Sequence, residues 1–191
     1  KNIVLAKRTK LVAKTVSDYL KKHNCRMDKT IFFCVDQEHA DRMRQALVNE
    51  NADMCAVDDR YVMRITANDE AGVKQLANFL NVDSTYPVLV TTSKLLSTGV
   101  DVQTVKYIVL DSNIRSMTEF KQIIGRGTRV REDLGKLYFT IFDFRDVARL
   151  FHDPDFDGPI EQQDDFHPQK PGPGPEEPPT VTPPDGDRKK K

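Results

Sequence analysis

Much of the equipment for common site chemistries is missing from this chain of 191 residues. Its three cysteines, Cys25, Cys34 and Cys55, show no Cys-x-x-Cys spacing, which argues against a disulfide framework or a zinc site. Cys34 sits in an apolar run and reads as a buried small hydrophobe. The four histidines are scattered and form no ligand pair. There is no signal peptide and no apolar run long enough to cross a bilayer, so the chain reads as cytoplasmic, with no membrane partner. No internal repeat is present. The chain begins at Lys1 rather than Met, which suggests a piece of something longer. Most informative is a further absence. No Gly-x-x-x-x-Gly-Lys-Ser/Thr phosphate loop occurs anywhere, and no strand ends in an acidic pair suited to magnesium. Alone, this chain cannot cradle and hydrolyse a nucleotide.

Proline is almost absent from the first 152 residues, because ten of the eleven prolines lie at or beyond Pro154. The run Pro171-Gly172-Pro173-Gly174-Pro175-Glu176-Glu177-Pro178-Pro179 cannot bury enough apolar surface to offset its ordering entropy. Residues 153–191 therefore read as a disordered Pro/Gly/acidic linker or tail, ending in Arg188-Lys189-Lys190-Lys191. The formal net charge of zero is a sum of unlike parts. The tail holds five basic and ten acidic residues, and residues 1–152 hold 24 basic and 19 acidic. A mildly basic folded part is compatible with a nucleic-acid backbone, although such an excess is most often solvated surface.

Within residues 1–152, short apolar runs alternate with amphipathic stretches. Leu11, Val12, Val16, Tyr19 and Leu20 make a helical face, and Thr30–Val35 reads as a buried strand. Ala40, Met43 and Leu47 repeat at helical spacing. A strand at Tyr61–Ile65 precedes a helix with Val73, Leu76, Ala77 and Leu80 on one side. Strands follow at Val88–Thr91 and Val105–Leu110, then a helix over Met117, Phe120, Ile123 and Ile124, a strand at Leu137–Phe142 and a short helix at Val147–Phe151. Apolar strands separated by helices predict an α/β fold with a mostly parallel sheet covered on both faces. Such sheets bind ligands beyond the carboxyl ends of their strands.

Several residues at those ends can carry chemistry. Thr91 and Thr92 close one strand and can donate to a phosphate. Gly99 permits a close backbone approach, and Asp101 can accept from a ribose hydroxyl or simply cap a turn. Asp111-Ser112-Asn113 can line the same cleft or form a turn, with Ser116 as the cap of the next helix and Glu119 as its capping-box partner. Stepping a straight helix at roughly 100° per residue puts Gln122, Arg126 and Arg129 opposite the apolar face. Arginine is always charged, and its planar fork of donors matches phosphate oxygens. That pattern reads either as arginine fingers aimed at a nucleotide or as an ordinary solvated helix.

Taken together these residues resemble the second motor domain of a superfamily 2 helicase or translocase. Ile31-Phe32-Phe33-Cys34 resembles motif IV, Thr91 to Asp101 resembles motif V, and Gln122-Ile-Ile-Gly125-Arg126-Gly-Thr-Arg129 is similar to motif VI. The similarity is closer still to the motor subunit of type I restriction-modification enzymes, through Leu95 to Asp101, Ser116 to Arg129, Phe142-Asp143-Phe144 and Phe151 to Gly158. It covers about residues 1–152.

The resemblance implies a three-layer RecA-like fold of the P-loop NTPase type over residues 1–152, followed by the Pro-rich tail. It implies ATP with Mg2+, held mainly by a first motor domain absent from this chain. Arg126 and Arg129 would contact the γ-phosphate, Gln122 would order the cleft, and Gly99 and Asp101 would lie near the ribose. Thr91 or Thr92 would touch DNA phosphates, with Lys94 and Arg64 as further contacts. The interval from threonine to Gly99 is one residue longer than the commonest pattern, so either threonine fits. The implied partners are double-stranded DNA, a first motor domain and a nuclease domain in one longer chain, and methyltransferase and specificity subunits. Alternatives are another superfamily 2 DNA helicase half and a non-catalytic α/β docking module.

Overall fold

The computed structural model describes residues 2–67, 69–93, 104–114, 116–124 and 138–147, without the side chains of 2–5, 117 and 124. The chain divides into two units, Lys1–His152 and Asp153–Lys191. All described residues belong to the first.

In chain order the elements are α1 (Asn2–Lys22), β1 (Thr30–Cys34), α2 (Gln37–Glu50), α3 (Ala52–Val57) and β2 (Val62–Arg64). They continue as α4 (Glu70–Leu80), β3 (Leu89–Thr92), β4 (Tyr107–Asp111), α5 (Met117–Ile124) and β5 (Thr140–Asp143). The five strands form one sheet in the order β2-β3-β1-β4-β5, and every pairing is parallel. This is the α/β arrangement expected from apolar strands alternating with helices. Helix α3 was not anticipated, and the expected helix at Val147–Phe151 falls, after Val147, outside the described residues.

Alternation along each strand sorts the core into two layers. Phe32, Cys34, Leu89, Tyr107 and Val109 face a cluster with Val12, Val16 and Leu20 of α1 and Ala40, Met43 and Leu47 of α2. Ile31, Phe33, Val90, Ile108 and Leu110 face the opposite cluster, with Phe79 of α4 and Phe120 and Ile123 of α5. The strands are therefore buried on both sides, which explains why β1, β3 and β4 are buried at every position.

Two expected helical faces are corrected. Leu11 is 64% exposed, and α1 buries Thr9, Val12, Ala13, Val16, Ser17 and Leu20 instead. In α4 the inward positions are Gly72 and Phe79, with Leu76 and Leu80 packed beside them, while Val73 is exposed. The large ring of Phe79 fixes the rotation of that helix, and small Gly72 lets its first turn touch β2. A Cβ on Gly72 would stand 2.1 Å from the Arg64 carbonyl oxygen. Cys34 is buried as expected, and burial pushes its thiol pKa up. All three cysteines are free thiols.

Candidate functional site

Parallel strands gather their carboxyl ends along one edge, and the sequence-predicted residues are distributed along it unevenly. Gly99, Asp101, Lys94, Arg126 and Arg129 lie outside the described residues. Gln122 is exposed on α5, between buried Phe120 and Ile123, while the other positions of the expected polar and apolar sides, Met117, Ile124, Arg126 and Arg129, have no described side chain. Ser116 caps the helix, its Oγ accepting from the Glu119 amide at 3.1 Å.

The two threonines behave differently from expectation. Both are fully buried. Thr91 Oγ1 donates to the Ala40 carbonyl of α2 at 2.9 Å, and Thr92 Oγ1 donates to the Ile65 carbonyl at 2.8 Å. Their side chains point to opposite faces of β3 and tie it to flanking backbone. In this arrangement neither hydroxyl meets solvent. Arg64, at the end of β2, pairs with Asp69 at 3.1 Å and Asp41 at 3.6 Å. Its charge is largely balanced within the fold, which weakens it as a phosphate contact.

A different cluster, not anticipated as a unit, occupies the junction of β1, β4 and β5. Asp111 ends β4 with only 1% of its surface exposed. Its Oδ1 accepts from Arg8 Nε of α1 at 3.2 Å and from Arg145 Nε, just after β5, at 2.9 Å. His39 of α2 brings Nε2 to 3.3 Å from Oδ2. That is an ion-pair distance without hydrogen-bond alignment, since Oδ2 has no well-aligned donor. The Val35 amide donates to His39 Nδ1 at 3.2 Å, so the proton facing Asp111 sits on Nε2.

Burial alone would raise the Asp111 pKa. His39, Arg145 and Arg8 more than offset this and hold the carboxyl below its ordinary value. A buried carboxylate with three such partners fixes α1, α2 and the segment after β5 against one point.

In front of these groups lies a pocket of about 100 Å³ lined by Arg8, Thr9, Val35, Asp36, His39, Arg42 and Arg145. No sequence spacing connects positions 8, 39, 111 and 145. The pairing of Cys34 with Asp111 in the β1–β4 register brings the start of α2 beside the end of β4. The one readable signal was an acidic residue directly after an apolar strand. Among the described residues, no three His, Cys, Asp or Glu side chains gather so as to hold a metal ion, and no helix is long and apolar enough to cross a membrane.

This parallel sheet, with an exposed glutamine on the helix between its fourth and fifth strands, defines the class. The chain belongs to the helicase conserved C-terminal domain family, whose model matches residues 11–131. More particularly, it is 55% identical over 169 residues to the type I restriction enzyme EcoAI endonuclease subunit of Escherichia coli, covering 88% of this chain and 21% of that protein. It is 28% identical over 141 residues to the type I restriction enzyme EcoKI endonuclease subunit of Escherichia coli strain K12, covering 69% of this chain and 12% of that protein. Among solved structures, the fragment of a putative HsdR subunit of a type I restriction enzyme from Vibrio vulnificus YJ016 superimposes with a TM-score of 0.78 at 49% identity. That match covers 83% of this chain and 31% of the other. The chain thus spans no more than 21% of the length of these two curated relatives.

Proposed function

We propose that this chain is the second motor domain of a type I restriction enzyme's motor subunit, working in the cytoplasm. It would complete an ATP site shared with a first motor domain and grip double-stranded DNA during translocation that precedes cleavage. The observation that carries the reading is the order of motifs on the fold. The segment Gln122 to Arg129 begins within a capped, sheet-packed helix on which Gln122 is exposed, in a family match that spans residues 11–131. The 55% identity to a type I endonuclease subunit supports the particular family member.

In this reading residues 1–152 are the motor domain and residues 153–191 a linker. The exposed position of Gln122 fits one wall of a nucleotide cleft. ATP with Mg2+ supplies the phosphoryl group, and this chain contributes only to holding it. Arg126 and Arg129 hold the γ-phosphate and offset charge there, Gln122 orders the cleft, and Gly99 and Asp101 lie beside the ribose. The absence of a phosphate loop assigns the remaining contacts, the metal's included, to the first motor domain. Contacts to DNA backbone rather than base edges suit movement without sequence preference. A nuclease domain in the same longer chain and separate methyltransferase and specificity subunits complete the assembly.

The test is Arg129→Ala in the longer subunit. An arginine finger is worth roughly 10³–10⁵ in rate, so DNA-stimulated ATPase should fall by at least the lower figure while the thermal midpoint is kept. Near-normal turnover would remove Arg129 from the site.

A further inference from the structure

None of the residues lining the pocket at the β1–β4–β5 junction is among those assigned above to the nucleotide cleft. Its volume of about 100 Å³ is well below the roughly 300–1,000 Å³ of sites for whole small molecules. It equals the share of liquid taken by about three waters at ~30 Å³ each, which is room for one small ionic group. Three guanidiniums line it from segments far apart in sequence: Arg8 on α1, Arg42 on α2 and Arg145 after β5.

Each has donors to spare, since an arginine carries five N–H groups. Arg8 uses Nε on Asp111 and Nη2 on the Phe144 carbonyl. Arg145 uses Nε and Nη2 on Asp111. Arg42 donates through Nη1 to Glu38, and its buried Nε has no partner. Asp111 therefore acts as a clamp that orients two guanidiniums without consuming them.

The acidic groups nearby leave room for an incoming anion. Asp36 Oδ1 accepts from the His39 amide as the cap of α2. Glu38 is 83% exposed, and an exposed pair of that kind is readily exchanged. The pocket also opens at the carboxyl edge of the sheet, beside the ends of β1, β4 and β5.

We propose that the pocket between Arg8, Arg42 and Arg145 holds one phosphate group of a DNA backbone, a contact additional to those expected from the sequence. The proposal rests on the DNA-gripping role, and one experiment separates the two. Binding of a mixed-sequence duplex to the chain is measured over a salt series for wild type, Arg42→Gln and Glu38→Gln, alongside thermal melting and titration with inorganic phosphate followed by NMR.

Arg42→Gln is expected to weaken binding several-fold, to lower the slope of log K against log[salt] by about 1, and to leave the melting midpoint in place. Glu38→Gln should tighten binding, and phosphate should perturb the His39 and Arg145 signals in wild type and Glu38→Gln but not in Arg42→Gln. Wild-type binding with an unchanged slope in Arg42→Gln overturns the pocket and leaves the DNA grip standing. No duplex binding by wild type overturns both. A glutamate-rich peptide that distinguishes wild type from Arg42→Gln when duplex does not would make this a protein-docking pocket, and the proposal would fall.

Discussion

Two buried charges stand at opposite ends of the same sheet, and they are used in opposite ways. Lys29 sits at the amino end of β1, 7% exposed. Its Nζ donates to the carbonyls of Phe79 at 2.8 Å, Asn81 at 2.9 Å and Asn78 at 3.3 Å. All three acceptors belong to the end of α4, where carbonyls lack helical partners and the helix dipole favours a cation. The ammonium's donors are spent on backbone, and the group is closed. Asp111, at the carboxyl end of β4, is held by arginines that keep unused donors and face a pocket. Burial of a charge therefore does not mark a site by itself. What differs is whether the partners are exhausted.

The comparison breaks most readily at Asp111. Asp111→Ala leaves two guanidiniums and an imidazole gathered without their anion, and losing one partner of a buried pair costs about 3–5 kcal/mol. Chemical denaturation should show a loss of that size. A change under 1 kcal/mol would mean that the arginines relax into water and that Asp111 holds nothing. Acid titration adds a sign. The folded-state pKa of Asp111 is depressed, so its contribution is present above the ordinary carboxylate pKa and disappears as pH falls through the folded value.

Lys29→Met tests the other end. Leaving carbonyls of α4 without a donor costs on the order of 1–3 kcal/mol, offset in part because a desolvated charge is removed. Burial lowers the Lys29 pKa to about 8 from an ordinary 10.5. Between those values the unfolded chain binds more protons than the folded one, so wild-type stability rises with pH across that window. Lys29→Met should lose this rise, and the gap between the two proteins should widen from pH 8 to pH 10. Parallel pH profiles would show that the amine titrates normally.

Thr92→Val makes the smallest change, deleting one buried hydrogen bond in a side chain of similar shape, at about 1 kcal/mol. If Thr92 serves only to fasten β3 to Ile65, DNA affinity should be unchanged in equilibrium binding. A drop in affinity with unchanged melting would restore the threonine as a DNA contact and require β3 to open.

Much of the fold was legible because period-two and period-3.6 patterns are local. The apolar runs at Ile31–Cys34, Val88–Val90 and Ile108–Leu110 identified strands of a two-sided sheet, and Ala40, Met43 and Leu47 identified the inner stripe of α2. Strand ends were less legible. Val35 was expected inside β1 but is 43% exposed beside the cap of α2. The rotation of α4 is not legible in the sequence because Val73 and Phe79 are both apolar, and only the close approach of Gly72 to β2 decides which turns inward. Thr91 and Thr92 were expected at a ligand, whereas neighbouring carbonyls use both hydroxyls.

By itself the sequence determined the alternation of strands and helices, the compositional break near Pro154 and the motif order that marks the helicase C-terminal family. These are written in adjacent residues, and short-range sterics and burial periodicity suffice to read them. Only the tertiary structure decided that Arg8, His39, Asp111 and Arg145 meet. They are separated by up to 137 positions, and their meeting depends on a parallel register that sets the end of β4 beside the end of β1. No local pattern encodes that register, because it is fixed by packing both faces of the sheet at once.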